Sequence, residues 1–415
     1  MPLLTFEDIR QAHALLKGVV IETPTLYSPS LSKTFEAHVF LKLENFQETG
    51  SFKERGAYIK LKSLAPDILQ RGVIALSAGN HAQAIALHAH HLQIPATIVM
   101  PLFTPPTKVG NTEKWGARIV LAGQTLDESY AIAQEMALKE NLTLIHPYDD
   151  PVVIAGQGTI GIEMLEAHPE LEVLLIPVGG GGLCAGVALA AKSLKPSLQI
   201  YGVEVEGYAS FTQVLYGRKE TKKGGTTLAD GIAVKRPGEL PQIILKDLLE
   251  DILVVTESEI EKAVDFFARR QSMIVEGAGA ASLAALFHAP SLFTQKNVGI
   301  VVSGGNIDPR LVSAIMMRGQ IHEGNLVLLR LQVEDTPGIL ERIAGIIARH
   351  QSNILEVKHQ RLIYEIPIKM AELDIMIETR GKEQTDLILN EFKAAGFSPH
   401  PYPSNFKEED LDFSF

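Results

Sequence analysis

From about residue 70, short apolar runs alternate with longer stretches whose apolar positions recur at helical spacing. Val73-Ile74-Ala75-Leu76 precedes a helical stretch over 80–92, and Thr97-Ile98-Val99-Met100 precedes another near 108–115, opened by Pro105-Pro106. Ile119-Val120-Leu121 leads into a helix near 126–139, and Leu142-Thr143-Leu144-Ile145 into one near 159–167. Val173-Leu174-Leu175-Ile176, Ile200-Tyr201-Gly202-Val203 and Val298-Gly299-Ile300-Val301-Val302 read as further buried strands, and Val39-Phe40-Leu41-Lys42-Leu43 as a short strand-like run. Apolar runs joined by helices are what a parallel sheet with crossover helices produces, because such a sheet is covered on both faces. The expected class is α/β. Ligands of such sheets gather beyond the carboxyl ends of the strands, so the informative residues should follow the apolar runs.

The texture changes after about residue 320. Residues 326–333 read as a strand and Asp335-Thr336-Pro337-Gly338 as a turn with proline near a helix start, after which Ile339, Leu340, Ile343, Ile346 and Ile347 recur at helical spacing. Strand-like runs over 354–364 and 371–379, a helix near 383–395 and a last strand near 399–402 complete a small α+β sandwich of ferredoxin type. The expected division is a first domain over 1–320 with a smaller subdomain, roughly 72–146, inserted in it. A linker at 321–326, a second domain over 327–403 and a frayed tail at 404–415 follow.

Composition removes several function classes. With 415 residues and a 46% hydrophobic share, the chain is long enough for two or three soluble globular domains. No apolar run reaches the roughly 20 residues that span a membrane, and no basic segment followed by an apolar core opens the chain, so neither a membrane role nor a signal peptide is expected. One cysteine, Cys184, rules out an intrachain disulfide framework and a cysteine-rich metal site, and the expected location is the cytoplasm. A net charge of -11 gives no support for nucleic-acid binding. The basic group Arg218-Lys219 with Lys222-Lys223 reads as a solvated loop.

The candidate chemistry follows the strands, as expected. After 39–43 and the polar turn 44–50 comes Ser51-Phe52-Lys53-Glu54-Arg55-Gly56-Ala57, where the pattern turns helical. Taken alone, Lys53 reads as a solvated lysine in a first helical turn. A lysine at a strand-to-helix junction can also point its amine into a cleft, lose its proton when desolvated and form a Schiff base with a carbonyl compound. The tract Gly179-Gly180-Gly181-Gly182-Leu183 precedes a helix of small residues over 184–192. Its backbone amides carry no side-chain bulk, which suits a phosphate at a helix N-terminus, although a tight structural turn reads the same way. It has neither the Lys-Ser/Thr ending of a nucleotide loop nor the spaced glycines of a dinucleotide fingerprint. Ser77-Ala78-Gly79-Asn80-His81 and Ser303-Gly304-Gly305-Asn306 each place a hydroxyl and an amide at a strand end, where either could equally be a helix cap. His81 reads as an ordinary helix-start histidine.

Taken together and in this order, these segments resemble the fold-type II pyridoxal-phosphate enzymes, and within them the serine/threonine dehydratases, over roughly the first 320 residues. Residues 327–403 resemble an ACT regulatory domain. The resemblance implies two parallel-rich α/β subdomains with pyridoxal 5'-phosphate in the cleft between them. It also implies an ammonia-lyase activity on L-threonine and L-serine, giving 2-oxobutanoate or pyruvate and ammonia. Lys53 would hold the cofactor as a Schiff base and act as base at Cα, with Phe52 beside the ring and Ser51 assisting or capping the helix. Asn80 would meet the ring hydroxyl, Gly179 to Gly182 and Leu183 the phosphate, and Ser77, Ala78, Gly79, Asn80 and His81 the substrate carboxylate. Ser303 would face the ring nitrogen; a hydroxyl there leaves the pyridine neutral, a weaker electron sink that favours prompt loss of a β-leaving group.

Related racemases carry a serine where this chain has Ala78, and a methyl group cannot move a proton, so a serine racemase with side dehydratase activity is the disfavoured rival. A non-catalytic amino-acid-binding regulator is the rival of another class, and Lys53 argues against it. Glu204 fits one carboxylate ligand of a cation found in some relatives, whereas Ser210 stands where a second is expected, so a solvated loop competes. The backbone of Glu276 is expected near the ring. The ACT module implies an amino-acid effector (isoleucine, valine or none), in a biosynthetic or degradative role, with assembly as a homodimer or homotetramer.

Overall fold

The apolar runs become strands of one parallel and one mostly parallel sheet, and the third sheet is antiparallel. A computed structural model describes residues 4–218, 224–361 and 367–402, and the chain forms two compact units, Met1–Asp308 and Pro309–Phe415. In the first unit a six-stranded sheet runs in the order Thr25–Tyr27, His38–Leu43, Asn297–Val302, Val173–Pro177, Gln199–Val205 and Asp251–Val255. All neighbours are parallel except the first pair. A four-stranded parallel sheet, ordered Arg118–Leu121, Ala96–Met100, Val73–Leu76 and Thr143–Leu144, lies within the stretch read as the smaller subdomain. Leu174, Ile176, Ile200, Val187 and Ile160 fill the core of the larger layer, and Val73, Ala75, Ile85, Ile98 and Met100 that of the smaller.

The helix Lys53–Lys62 packs against Asn80–His91 from the small layer and Pro151–Ala167 from the large one. Its approach to the second is backbone-close: a Cβ on Gly156 would lie 2.6 Å from Gly56 Cα. That contact explains a difference from the sequence reading, which starts a helix near 159. The structure starts it at Pro151, capped by Asp150, whose Oδ1 accepts from Val152 N at 2.8 Å and Val153 N at 3.2 Å. Gly156, Gly158 and Gly161 lower helix propensity but permit this packing, and tertiary contact prevails over propensity.

Behind Lys53 lies a buried group of four charges. Arg55 donates to Glu44 through Nε (2.8 Å) and Nη2 (2.8 Å), to Glu163 Oε2 (2.8 Å) and to Thr159 Oγ1 (3.0 Å). Lys42 Nζ donates to Thr23 O at 2.6 Å and pairs with Glu163. Burial opposes the Glu44 charge, yet the Arg55 guanidinium and Lys42 outweigh it and hold the carboxyl at about 2, against an ordinary 4.5. A lowered folded-state pKa contributes stability that is present above the unfolded value and lost as pH falls toward the folded one. Thermal stability should therefore drop between pH 4.5 and about 2, with a shallower slope in Glu44→Gln. A slope equal to the parent's in that variant would contradict this assignment.

The second unit opens with a helix, Pro309–His322, which spans the end of the expected first domain and the start of the expected linker. An antiparallel sheet ordered Asn353–Gln360, Met370–Glu378, Leu326–Glu334 and His400–Tyr402 follows. The helices Ile339–Arg349 and Lys382–Ala394 bury Ile343, Ile347, Ile388 and Phe392 against Leu329, Leu331, Leu373 and Ile375. This is the βαββαβ order expected from the sequence. Gly338 precedes the first of these helices as its N-cap, and the Asp335 carboxylate accepts from Arg361 Nε at 2.9 Å. Residues 362–364 of the expected strand, the basic positions 219, 222 and 223 and the tail 404–415 lie outside the described residues. Among the described residues, no helix is long and apolar enough to cross a membrane.

Candidate active site

The strands His38–Leu43 and Asn297–Val302 are hydrogen-bonded neighbours running in parallel, so the loops at their carboxyl ends emerge side by side. Phe52 N donates to Ser303 O at 3.1 Å, Gly305 N to Gly50 O at 2.9 Å, and Ser51 forms an antiparallel bridge with Gly304. The lysine segment and the Ser303 segment, about 250 residues apart in sequence, are one structural element. Phe52, not Ser51, occupies the N-cap position of Lys53–Lys62. The Ser51 hydroxyl is buried and has no hydrogen-bond partner among the described residues, an orphaned polar atom beside Lys53.

Lys53 is half-buried, its Nζ 2.9 Å from Pro147 O and 5.1 Å from the centre of the Phe52 ring. Burial disfavours its ammonium form, and the Glu276 carboxylate recovers only part of the loss, leaving the amine at about 8 instead of 10.5. The segment that supplies Pro147 is held by its neighbours. His146 Nδ1 accepts from Asp149 N at 2.8 Å, and the His146 and Tyr148 rings meet edge to face at 4.7 Å.

Asn80 opens the helix Asn80–His91 at the end of the small sheet, and Ser77 Oγ accepts from Gly79 N at 3.1 Å in the turn before it. Asn80 Nδ2 donates to Glu276 Oε1 at 2.7 Å, while Asn306 Nδ2 donates to Asn80 Oδ1 at 2.8 Å and to Thr49 O at 2.6 Å. The asparagine loop, the lysine loop and the serine loop thus converge. His81 is turned into the core, Nε2 3.2 Å from Ile145 O, and burial together with the Lys53 charge lowers its pKa to about 3. It is a neutral structural histidine at neutral pH.

The glycine tract ends the strand Val173–Pro177 and runs into the helix Gly182–Leu194. A Cβ on Gly180 would sit 2.2 Å from Tyr148 Cγ, and Gly181, at φ +90°, would place one 2.3 Å from Phe211 Cζ. Both the turn and the close packing therefore require glycine here. Among the described residues no side chain caps the helix, so its first amides retain donors for an anion. Tyr148, which packs on this tract, belongs to the segment that also meets Lys53.

Glu204 has a structural task. Its oxygens accept from Phe211 N (2.8 Å), Thr212 N (2.9 Å) and Thr212 Oγ1 (2.7 Å) at the start of Ser210–Tyr216. Glu276 contributes more than the backbone contact expected from the sequence: its side chain is buried and bonded to Asn80. Sequence reasoning placed the Asn306 amide at a strand end but missed its bond to Asn80, and it missed the Glu276 contact and Pro147, since each depends on a partner more than 90 residues away.

A desolvated amine, an orphaned hydroxyl, an uncapped glycine-led helix and a fixed amide fit a phosphate-bearing aldehyde such as pyridoxal phosphate. Residues 16–304 match the family model described as pyridoxal-phosphate dependent enzyme, and residues 327–397 that of the ACT domain. The L-threonine ammonia-lyase of Thermotoga maritima is 42% identical over 396 residues, covering 95% of this chain and 98% of that protein. Among solved structures, the processed form of threonine deaminase isoform 2 from Solanum lycopersicum superposes with a TM-score of 0.71 at 34% identity, covering 75% of this chain and 92% of that one. Maize serine racemase gives a TM-score of 0.71 at 33% identity, covering 77% and 99%. The chain belongs to the pyridoxal-phosphate dependent enzyme family and carries an ACT domain in its C-terminal part.

Proposed function

We propose that this protein is a threonine ammonia-lyase, converting L-threonine to 2-oxobutanoate and ammonia and L-serine to pyruvate and ammonia. The observation that carries the reading is the match to the Thermotoga maritima L-threonine ammonia-lyase across both domains. When bound, pyridoxal phosphate supplies an electron sink conjugated to the substrate Cα. Lys53 would hold it covalently and, once released by the substrate amine, would take the Cα proton on Nζ; a pKa near 8 makes that amine available close to neutral pH. The amides at the start of Gly182–Leu194, with Leu183, would hold the phosphate, and Phe52 would flank the ring. Ser303 would face the ring nitrogen, and Ser77 with the backbone of 78–81 would orient the substrate carboxylate. Ala78 offers no proton, which favours elimination of the β-hydroxyl over racemisation.

The test is a coupled assay in which the 2-oxo acid is reduced as it forms. Turnover of L-threonine without accumulation of a D-amino acid is expected; failure with both threonine and serine would contradict the reading. Gly180→Ala should weaken cofactor binding about 10-fold or more, because the Tyr148 ring must move. Titration of the absorbance near about 410 nm measures this, and an unchanged affinity would remove the glycine tract from the cradle. An amino-acid effector at the ACT domain and assembly as a homodimer or homotetramer belong to the same proposal. Rate against threonine with and without isoleucine tests the effector.

A further inference from the structure

The proposed reaction leaves one buried carboxyl beside the site without a role. Glu276 is 5% exposed and precedes the helix Gly277–His288. Its N–H donates to Gly304 O at 3.1 Å, its Oε1 accepts from Asn80 Nδ2 at 2.7 Å, and the Asn306 backbone donates to its carboxylate. The residue opposite has no side chain for a reason: a Cβ on Gly304 would lie 2.4 Å from Glu276 Oε1 and 3.2 Å from Asn80 Nδ2. The same glycine bridges to Ser51, two residues before Lys53.

We propose that Glu276 is a positioning residue of this site: its carboxylate fixes the Asn80 amide and acts by its charge on the Lys53 amine. The inference rests on reading Lys53 as the cofactor lysine. With Oδ1 accepting from Asn306 and one Nδ2 hydrogen given to Glu276, the Asn80 amide has a single orientation and one donor left to offer. The charged groups around Glu276 come from three further elements. Asp230, in the turn Asp230–Ile232, disfavours its charge; Lys108, on Pro106–Glu113 and 2.7 Å from Asp230, favours it; Lys53 lies on Lys53–Lys62. Burial first, then Asp230, raises the Glu276 carboxyl to about 7, offset in part by Asn80, Lys108 and Asn306. Glu276 and Lys53 therefore change charge over neighbouring pH ranges, and each biases the other.

Lys53 can be titrated in the cofactor-free full-length protein by its rate of acetylation with acetic anhydride, read by peptide mass spectrometry. The parent midpoint is expected near 8. Glu276→Gln keeps an acceptor for Asn80 but removes the charge, so the midpoint should fall by about one pH unit. The pH at which the visible band of the holoenzyme changes should move the same way. Glu276→Ala removes the acceptor as well, and its cofactor affinity should weaken about 10-fold. An unmoved midpoint in Glu276→Gln overturns the proposal, as does a parent-like cofactor affinity in Glu276→Ala. The acetylation midpoint does not depend on the substrate, and loss of the visible band in Lys53→Ala separately checks the cofactor reading, so the failures are distinguishable.

Discussion

Lys53→Ala should reduce 2-oxo acid formation from L-threonine by at least about 10,000-fold, because in the proposed reaction one residue provides both the covalent anchor and the base at Cα. The fold should survive the change. Lys53 is half-buried in the first turn of its helix, and among the described residues its amine hydrogen-bonds only to a carbonyl, Pro147 O. Circular dichroism and melting temperature should stay close to the parent's while the visible band disappears. The loss should not be recovered by more cofactor, since affinity is not the missing quantity. Activity within about 100-fold of the parent would mean that another group removes the proton.

Arg55→Met should cost about 3–5 kcal/mol of stability, since it leaves Glu44 and Glu163 buried with Lys42 as the remaining cation of the group. In melting temperature that is on the order of 10 °C for a domain of this size. Arg55→Lys should fall between parent and Met: it keeps the charge but cannot reproduce the fork that serves Glu44, Glu163 and Thr159 together. Arg10→Ala supplies the contrast. Its partner Glu7 lies on the same exposed helix face, and solvent screens such a pair, so its loss should leave the melting temperature close to the parent's. A first melting transition in Arg55→Met within about 2 °C of the parent would show that the buried group is not what holds the Lys53 helix in place.

The parts of the site visible in the sequence are those that follow strands. Lys53, Asn80, the glycine tract and Ser303 each come directly after an apolar run, and parallel sheets place such turns on one edge. The parts that were not visible are long-range. Glu276 sits in Val275-Glu276-Gly277-Ala278-Gly279, where only a backbone contact was expected, and its side-chain role depends on a glycine 28 residues later. The grouping of Lys42, Glu44, Arg55 and Glu163 was not visible either, because nothing local reveals that four elements bury them together. The strand Asp251–Val255 and helix Glu257–Arg270 were missed although a signal existed: Thr256 and Glu259 form a capping box directly after Ile252-Leu253-Val254-Val255. In the C-terminal unit the helical spacing of Ile339, Ile343, Ile346 and Ile347 was sufficient, since all four are buried on one face.

The most direct test of the central claim, that Lys53 carries the cofactor, is borohydride reduction of the holoenzyme followed by peptide mapping. One pyridoxyl group on Lys53 is the predicted result, with Lys42 and Lys60 unmodified because their amines are paired with Glu163 and Asp150. A pyridoxyl group on any other lysine, with Lys53 unlabelled, would contradict the account.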